Sequence, residues 1–184
     1  MTLSVHDVAA VLRERLPGVG TKKLHQLLYY CQGHHLATFN KPLFAETISA
    51  WDMGPVVGTL WRQEKSGEEA AATAQLTEAQ LNTVGYVLSR YGALTGNDLE
   101  HLTHSELPWQ LADRSRRPGA SARIKLDWIR EYFSTTGAAD GDDDEPSPDP
   151  QLVSEWLRGA EARRPTPGRP DSVEAVMARL SVSG

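Results

Sequence analysis

The sequence has little cysteine and no long apolar run, and each shortage excludes a class of protein. Cys31 is the single cysteine among 184 residues, which excludes an intrachain disulfide and a cysteine-rich zinc site. No apolar stretch approaches the ~20 residues that a membrane-spanning helix needs. Residues 1–16 contain Asp7 and Glu14 and lack the basic start and apolar stretch of a signal peptide. We therefore expect a cytoplasmic protein.

An excess of basic charge is also missing, and the acidic charge is concentrated in one region. Residues 1–135 carry 14 Lys+Arg and 14 Asp+Glu, whereas residues 136–184 carry 5 Arg and 10 Asp+Glu. The first part is neutral, so the net charge of −5 lies in the last quarter of the chain. Because dedicated nucleic-acid binders are usually basic, this balance argues against nucleic acid as the partner.

The same change in composition divides the chain into three parts. Residues 1–135 predict a helical domain, and residues 136–150, TGAADGDDDEPSPDP, predict an acidic linker rich in Gly, Pro and Asp. Residues 151–184 form a C-terminal extension with two short helical patterns, the first of which carries Trp156 and Leu157. Each pattern is too short to be a stable helix alone in water, so it would need to dock on the domain or on a partner.

Within the domain, apolar spacing and capping residues predict helices. Ser4 with Asp7, and Thr77 with Gln80, have the spacing of capping boxes that begin two of them. The fold predicted is mainly α: a compact multi-helix domain with at most a short β element, followed by the acidic linker and two short helical segments.

Three further local features predict element boundaries. Thr21 is expected to cap a helix over residues 22–39. Pro55 suits the first turn of another helix, and Ser121 is expected to begin the last one. A brief strand or extended loop is predicted within residues 46–52, where β-branched and aromatic residues occur.

No catalytic motif is present: G-x-S-x-G, the P-loop, G-x-G-x-x-G and H-E-x-x-H are all missing. Cys31, His34 and His35 are neighbours on one predicted helix, and His101 and His104 could complete a composite site with them. The alternatives are metal ligation, a Cys–His nucleophile and base, or packing between helices, and the spacing favours packing. We therefore predict no enzyme activity, no cofactor and no metal.

A local basic cluster leaves several interpretations open. Arg114, Arg116, Arg117, Arg123 and Lys125 lie within twelve residues of one another. They could contact phosphates, form a solvated loop, or dock the acidic region that follows the last helix of the domain. The neutral charge of the domain favours the last two.

Three blocks of sequence carry a resemblance to a known family. Residues 23–37 read K-L-H-Q-L-L-Y-Y-C-Q-G-H-H-L-A, and residues 41–57 read K-P-L-F-A-E-T-I-S-A-W-D-M-G-P-V-V. Residues 99–112 follow L-x-x-L-x-H-x-E-x-P-W-x-x-A, and an I-x-x-x-x-I-x-x-Y-F pattern covers 124–133. In this order the blocks resemble the Panacea domain of SocA-like antitoxins. Cys31, His34 and Met53 depart from the residues usual at their positions, which leaves the choice of partner open.

The resemblance implies the antitoxin of a toxin–antitoxin system, a setting that includes phage defence. The implied partner is a cognate toxin protein, neutralised by direct binding. Two alternatives are a protease adaptor that delivers the toxin to a ClpXP-type protease and a DNA-binding autorepressor. Trp is prominent at binding hot spots, and the two adjacent tyrosines point about 100° apart on a helix, so one could face outward. The candidate partner-binding residues are Tyr29, Tyr30, His34, Trp51, Met53, Pro55, Trp61, Trp156 and Leu157.

Overall fold

The computed structural model of the protein describes residues 2–68 and 71–139. The predicted C-terminal extension, with Trp156 and Leu157, and all but the first residues of the predicted linker lie outside these ranges. In order along the chain the elements are α1 (Val5–Arg15), α2 (Thr21–Phe39), β1 (Ile48–Trp51), β2 (Gly54–Val57), α3 (Gly58–Ser66), α4 (Glu78–Tyr91), α5 (Gly96–His104), α6 (Leu107–Arg114), β3 (Ala122–Arg123) and α7 (Leu126–Ala139). The predicted fold class, mainly α with a short β element, is confirmed.

Helix α2 is the centre of the domain. It packs against α7, α4, α5, α1 and β2, so it is buried on more than one side and twelve of its 19 residues are buried. Gly33 lets α7 approach closely, because a Cβ atom there would lie 2.3 Å from Phe133 Cε2. Close helix crossing is therefore the reason for a glycine in mid-helix, where it costs about 1 kcal/mol relative to alanine.

Side-chain caps begin three of the helices. The predicted capping boxes of Ser4 with Asp7 and of Thr77 with Gln80 are both present, and Thr95 caps α5 in the same way. The predicted cap at Thr21 is wrong. Thr21 is already the first helical residue of α2, the cap position is Gly20, and no side chain caps that end.

A small antiparallel sheet, in the order β2-β1-β3, lies beside α2. Strands β1 and β2 form a hairpin in which Trp51 pairs with Gly54 and Ala50 with Pro55. Pro55 is therefore in a strand, not in the first turn of a helix as its sequence context suggests. The strand tolerates proline because β2 is at the edge of the sheet, where an N–H group can be missing.

The last helix also begins later than predicted. Residues after Ser121 first add strand β3, whose Ala122 and Arg123 pair with Ala50 and Ser49 of β1. The Ile124 amide then donates to the Ile48 carbonyl over 2.9 Å. Helix α7 starts only at Leu126, because the preceding backbone is held in the sheet.

Among the residues that the structure describes, no helix has both the length and the apolar character needed to cross a membrane.

Candidate functional site

A pair of tryptophans lies at the surface beside the β1–β2 hairpin turn. Trp51 ends β1 and Trp61 lies on α3, and their ring centroids are 4.9 Å apart with an interplanar angle of 61°. Both side chains are half-buried, as is Met53 in the turn between them. The Lys65 Nζ atom lies 4.6 Å from the centroid of the Trp61 ring. Three large apolar side chains that are partly accessible to solvent therefore lie in the same region of the surface.

A buried glutamine holds the hairpin turn in place from below. Gln26 of α2 donates through Nε2 to the Met53 carbonyl over 2.7 Å, and its Oε1 accepts from the Thr103 hydroxyl over 3.1 Å. Gly54 has φ +108°, and a Cβ atom on it would lie 2.4 Å from Gln26 Nε2. The turn therefore needs glycine both for its backbone conformation and for the close approach of the glutamine.

A second polar contact fixes the end of β1. Trp109 of α6 donates through its indole Nε1 to the Trp51 carbonyl over 3.2 Å, while the His104 ring stacks on Trp109 with centroids 4.0 Å apart. The hairpin is consequently tied to α2, α5 and α6, and its half-exposed side chains sit on a fixed base.

A cleft of about 200 Å³ opens beside the turn, lined by residues 51–53 and 119–121. Arg116 binds two of the lining residues, Asp52 and Ala120: its guanidinium is largely buried and forms ion pairs with Asp52 over 2.5 Å and with Asp113 over 2.7 Å. The same side chain donates to the Ala120 carbonyl over 3.1 Å. We name Trp51, Asp52, Met53, Trp61 and residues 119–121 the hairpin surface.

A different region of the domain contains the two adjacent tyrosines. Tyr30 stacks on Tyr91 with centroids 3.9 Å apart, and its hydroxyl donates to Glu106 Oε2 over 2.9 Å. Burial raises the pKa of the Glu106 carboxyl to about 8, although the bond from Tyr30 acts in the opposite direction. The prediction that one of Tyr29 and Tyr30 faces outward is wrong, since both are completely buried.

The remaining predicted partner-binding residues fall in three places. Trp51, Met53 and Trp61 come together at the hairpin surface. Pro55 belongs to the same hairpin but is buried. His34 is half-buried on α2, where its Nε2 lies 3.1 Å from the Tyr91 hydroxyl, and burial lowers its pKa to about 3.

The Cys–His group of α2 is occupied by packing contacts. Cys31 is fully buried, which raises the pKa of its thiol. His35 Nδ1 lies 3.1 Å from the Thr83 hydroxyl. Within the described ranges, no group of three or more His, Cys, Asp or Glu side chains is placed to hold a metal ion.

Sequence reasoning missed the buried polar residues of α2. Besides Gln26, Gln32 donates to the Phe44 carbonyl and accepts from the Leu43 amide. His25 accepts at Nδ1 from the Val57 amide, so its Nε2 carries the proton and donates to Glu64 over 3.0 Å. The available signal was their position: all three are polar residues on the buried side of a helix, and such groups are expected to be hydrogen-bonded.

Comparison with known proteins identifies the domain. The family described as "Antitoxin SocA-like, Panacea domain" matches residues 24–110, a range that includes most of α2, the hairpin, α3 to α5 and the start of α6. This part of the chain matches the Panacea domain, as its motifs predict. The family name indicates an antitoxin-like domain, of a kind that is usually non-enzymatic. No curated protein and no solved structure matches the chain.

Proposed function

We propose that this protein is the antitoxin of a toxin–antitoxin pair and neutralises its cognate toxin by direct binding at the hairpin surface. The family supports the class of function. The observation that supports the surface is the half-buried pair of Trp51 and Trp61, with Met53 and the cleft beside it. Aromatic residues and methionine are enriched in the cores of protein interfaces, and tryptophan is enriched among binding hot spots.

The fixed base of the hairpin supports the same proposal. Gln26 and Trp109 hold the backbone of the turn at Met53 and Trp51. A surface that is ordered before it binds loses less conformational entropy on association than a loop that must be ordered by its partner. The motif residues of α2 beneath it, by contrast, are mostly buried and hold the fold.

The test has two stages, and the first concerns the function itself. An antitoxin is expected beside its toxin, so the neighbouring reading frame is expressed alone and then together with this chain. We expect growth arrest in the first case and rescue in the second. If the neighbouring gene is harmless, or if the two purified proteins do not associate, the antitoxin proposal is wrong.

The second stage locates the surface by measuring affinity calorimetrically. Met53→Ala and Trp61→Ala are each expected to weaken binding by about tenfold or more, that is by at least about 1.4 kcal/mol. Tyr86→Ala is the matched control, because Tyr86 is an exposed aromatic residue on α4, outside the hairpin surface. Loss of binding in the control, with affinity kept in the two variants, would place the interface elsewhere.

Direct neutralisation also needs to be separated from delivery to a protease. Toxin abundance is followed by immunoblot during rescue, with and without a ClpXP-type protease in the host. Neutralisation by binding predicts rescue in both strains at unchanged toxin abundance. Rescue that requires the protease, accompanied by falling toxin abundance, would indicate an adaptor instead.

A further inference from the structure

Several basic side chains beside the cleft have no acidic partner among the described residues. Arg114 ends α6, Arg117 lies in the following loop and Arg123 lies on β3, and all three are exposed. Lys125 is also exposed and stacks over Trp128, with Nζ 5.0 Å from the ring centroid. Within residues 2–68 and 71–139, no ion pair reaches any of these four cations. We name these four residues the basic rim.

The carboxylates closest to the basic rim along the chain and in the hairpin are already engaged. Asp52 and Asp113 both pair with Arg116, and Asp127 pairs with Arg130 over 2.7 Å. Arg116 therefore has two carboxylate partners, whereas the four cations of the basic rim have none among the described residues. The result is a locally positive surface on a domain whose formal charge over residues 1–135 is zero.

Arg123 connects the basic rim to the hairpin surface. Arg123 pairs with Ser49 in the register of β1 and β3. Directly opposite residues in an antiparallel pair share a face, and alternation along β1 puts Trp51 on that face too. Arg116 connects the loop to the turn by binding both Asp52 and the Ala120 carbonyl. Positive charge therefore borders the cleft.

We propose that the basic rim binds the acidic segment of this same chain, residues 140–149. This segment contains six carboxylates and no lysine or arginine: Asp140, Asp142, Asp143, Asp144, Glu145 and Asp149. It is the most acidic ten-residue stretch of the sequence, and its six carboxylates outnumber the four cations of the basic rim. The charges of the two surfaces are complementary.

The length of the chain allows this contact. The segment follows Ala139 at the end of α7, and the basic rim includes Lys125 just before the start of α7 at Leu126. A helix of 14 residues is about 21 Å long. Ten residues of extended chain span up to about 33–36 Å, so the segment can return along α7. Because the contact is intramolecular, its effective concentration is on the order of millimolar.

This contact is a claim separate from the proposed function, and it can be tested without any toxin.

The experiment uses the full chain and a single spin label. Ser147→Cys introduces a thiol for a nitroxide, whereas Cys31 is fully buried and does not compete. Line broadening of backbone amides is measured by nuclear magnetic resonance. We expect broadening at residues 114–125, and we expect it to disappear in about 0.5 M salt, where the screening length falls to a few ångströms.

Charge variants decide whether the contact is specific. Arg114→Gln, Arg117→Gln and Arg123→Gln, combined in the labelled chain, are expected to remove the broadening. The control combines Arg15→Gln, Lys41→Gln and Arg62→Gln, which removes the same charge from exposed positions elsewhere and is expected to keep it. Asp142→Asn, Asp143→Asn, Asp144→Asn and Glu145→Gln remove the other partner without changing the domain.

Several results would overturn the proposal. Residues 114–125 could show no broadening, or their broadening could persist in both the basic-rim and the acidic-segment variants. Equal loss in the control variant would show that total charge, not this surface, matters. If the label has no effect while a short DNA duplex shifts the amides of the basic rim, the surface is a nucleic-acid interface and does not hold the acidic segment.

Discussion

Gly33 is the residue at which the two most closely packed helices meet. The Phe133 ring of α7 fills the space that a side chain on α2 would need, with Phe133 Cε2 only 2.3 Å from the position of a Cβ atom. Phe133 is itself almost fully buried and touches the Tyr29 and Tyr30 rings at 5.6 and 6.0 Å between centroids. The ring therefore cannot move aside without disturbing the core around both tyrosines.

We expect Gly33→Ala to destabilise the protein by about 1–3 kcal/mol, because overpacking outweighs the gain in helix propensity. Gly85→Ala is the control: it lies in the middle of α4, and its Cβ atom would meet only the end of the Arg15 side chain at 3.5 Å. That substitution is expected to stabilise by about 0.5–1 kcal/mol. Urea unfolding measures both, and a Gly33→Ala protein as stable as the parent would contradict the packing argument.

Glu106 is a carboxyl group buried among aromatic rings, and its ionisation opposes folding. Its pKa is raised from about 4.5 to about 8 by burial, so the folded protein binds more protons than the unfolded chain between these values. The free energy of unfolding therefore decreases as the pH rises from about 4.5 to about 8, and this contribution is constant above that range.

Glu106→Gln removes this pH dependence and leaves an acceptor for the Tyr30 hydroxyl. We expect the variant to be more stable than the parent at pH 8 by on the order of 2–3 kcal/mol, with a much smaller difference near pH 5. Denaturant unfolding at the two pH values measures the effect. Glu131→Gln on the exposed side of α7 is expected to change little, and a constant difference for Glu106→Gln at both pH values would contradict this account.

At the scale of elements, two buried glutamines on α2 fix two different backbone segments. Gln26 holds the β1–β2 turn through the Met53 carbonyl, and Gln32 holds residues 43–44 through Phe44 and Leu43. A lost partner leaves a buried backbone group without a hydrogen bond, which costs about 1–3 kcal/mol. Each glutamine should therefore control the local stability of its own segment.

Amide hydrogen exchange tests this reciprocally. Gln26→Leu is expected to accelerate exchange in residues 50–56 and to leave residues 43–45 unchanged. Gln32→Leu is expected to do the opposite, so each variant is the control of the other. If both variants accelerate exchange to the same degree in both segments, the glutamines stabilise the domain globally and not its segments.

The sequence predicted the elements whose signals are local. The capping boxes at Ser4 and Thr77 lie next to the helices that they begin. The helical spacing of apolar residues, together with these caps, predicts the mainly α fold class. Pro55 was misplaced because its strand is defined by pairing with Ala50, a contact that local propensity does not contain. The start of α7 was misplaced for the same reason, since β3 forms only against β1.

The candidate site was predictable in part. Tryptophan content and the family motifs indicated Trp51, Met53 and Trp61, which the fold brings to one surface. The same motifs also indicated Tyr29 and Tyr30, and these are buried because α2 is covered by α4 on one side and α7 on another. A helical pattern does not reveal how many neighbours cover a helix, and therefore cannot separate the buried tyrosines from the accessible tryptophans.

At the scale of the whole molecule, three neutral histidines on α2 join its neighbours. His25 links α2 to β2 and Glu64 of α3, whereas His34 and His35 lie against Tyr91 and Thr83 of α4. Burial lowers the pKa of all three side chains. Protonation of these histidines in acid therefore weakens the contacts between α2 and the rest of the domain.

The histidines and Glu106 change the free energy of unfolding in opposite directions as the pH changes. The domain is therefore expected to have a pH of maximum stability. Each histidine has a folded pKa below its unfolded value of about 6.5, so the unfolded chain binds more protons in acid and stability is lost as the pH falls below about 6.5. Ionisation of Glu106 lowers the free energy of unfolding as the pH rises from about 4.5 to about 8. We therefore expect the greatest stability at mildly acidic pH, where neither loss is complete.

His34→Gln tests the acid side of this balance. For His34 the loss continues down to a pH of about 3, at up to about 1.4 kcal/mol per pH unit. The parent is therefore expected to lose about 2–3 kcal/mol more than the variant between pH 6.5 and pH 4.5, measured by urea unfolding. His6→Gln on α1 is the control and is expected to keep the parent's slope. A His34→Gln protein with the same slope would mean that His34 is not held neutral by its burial between α4 and α7.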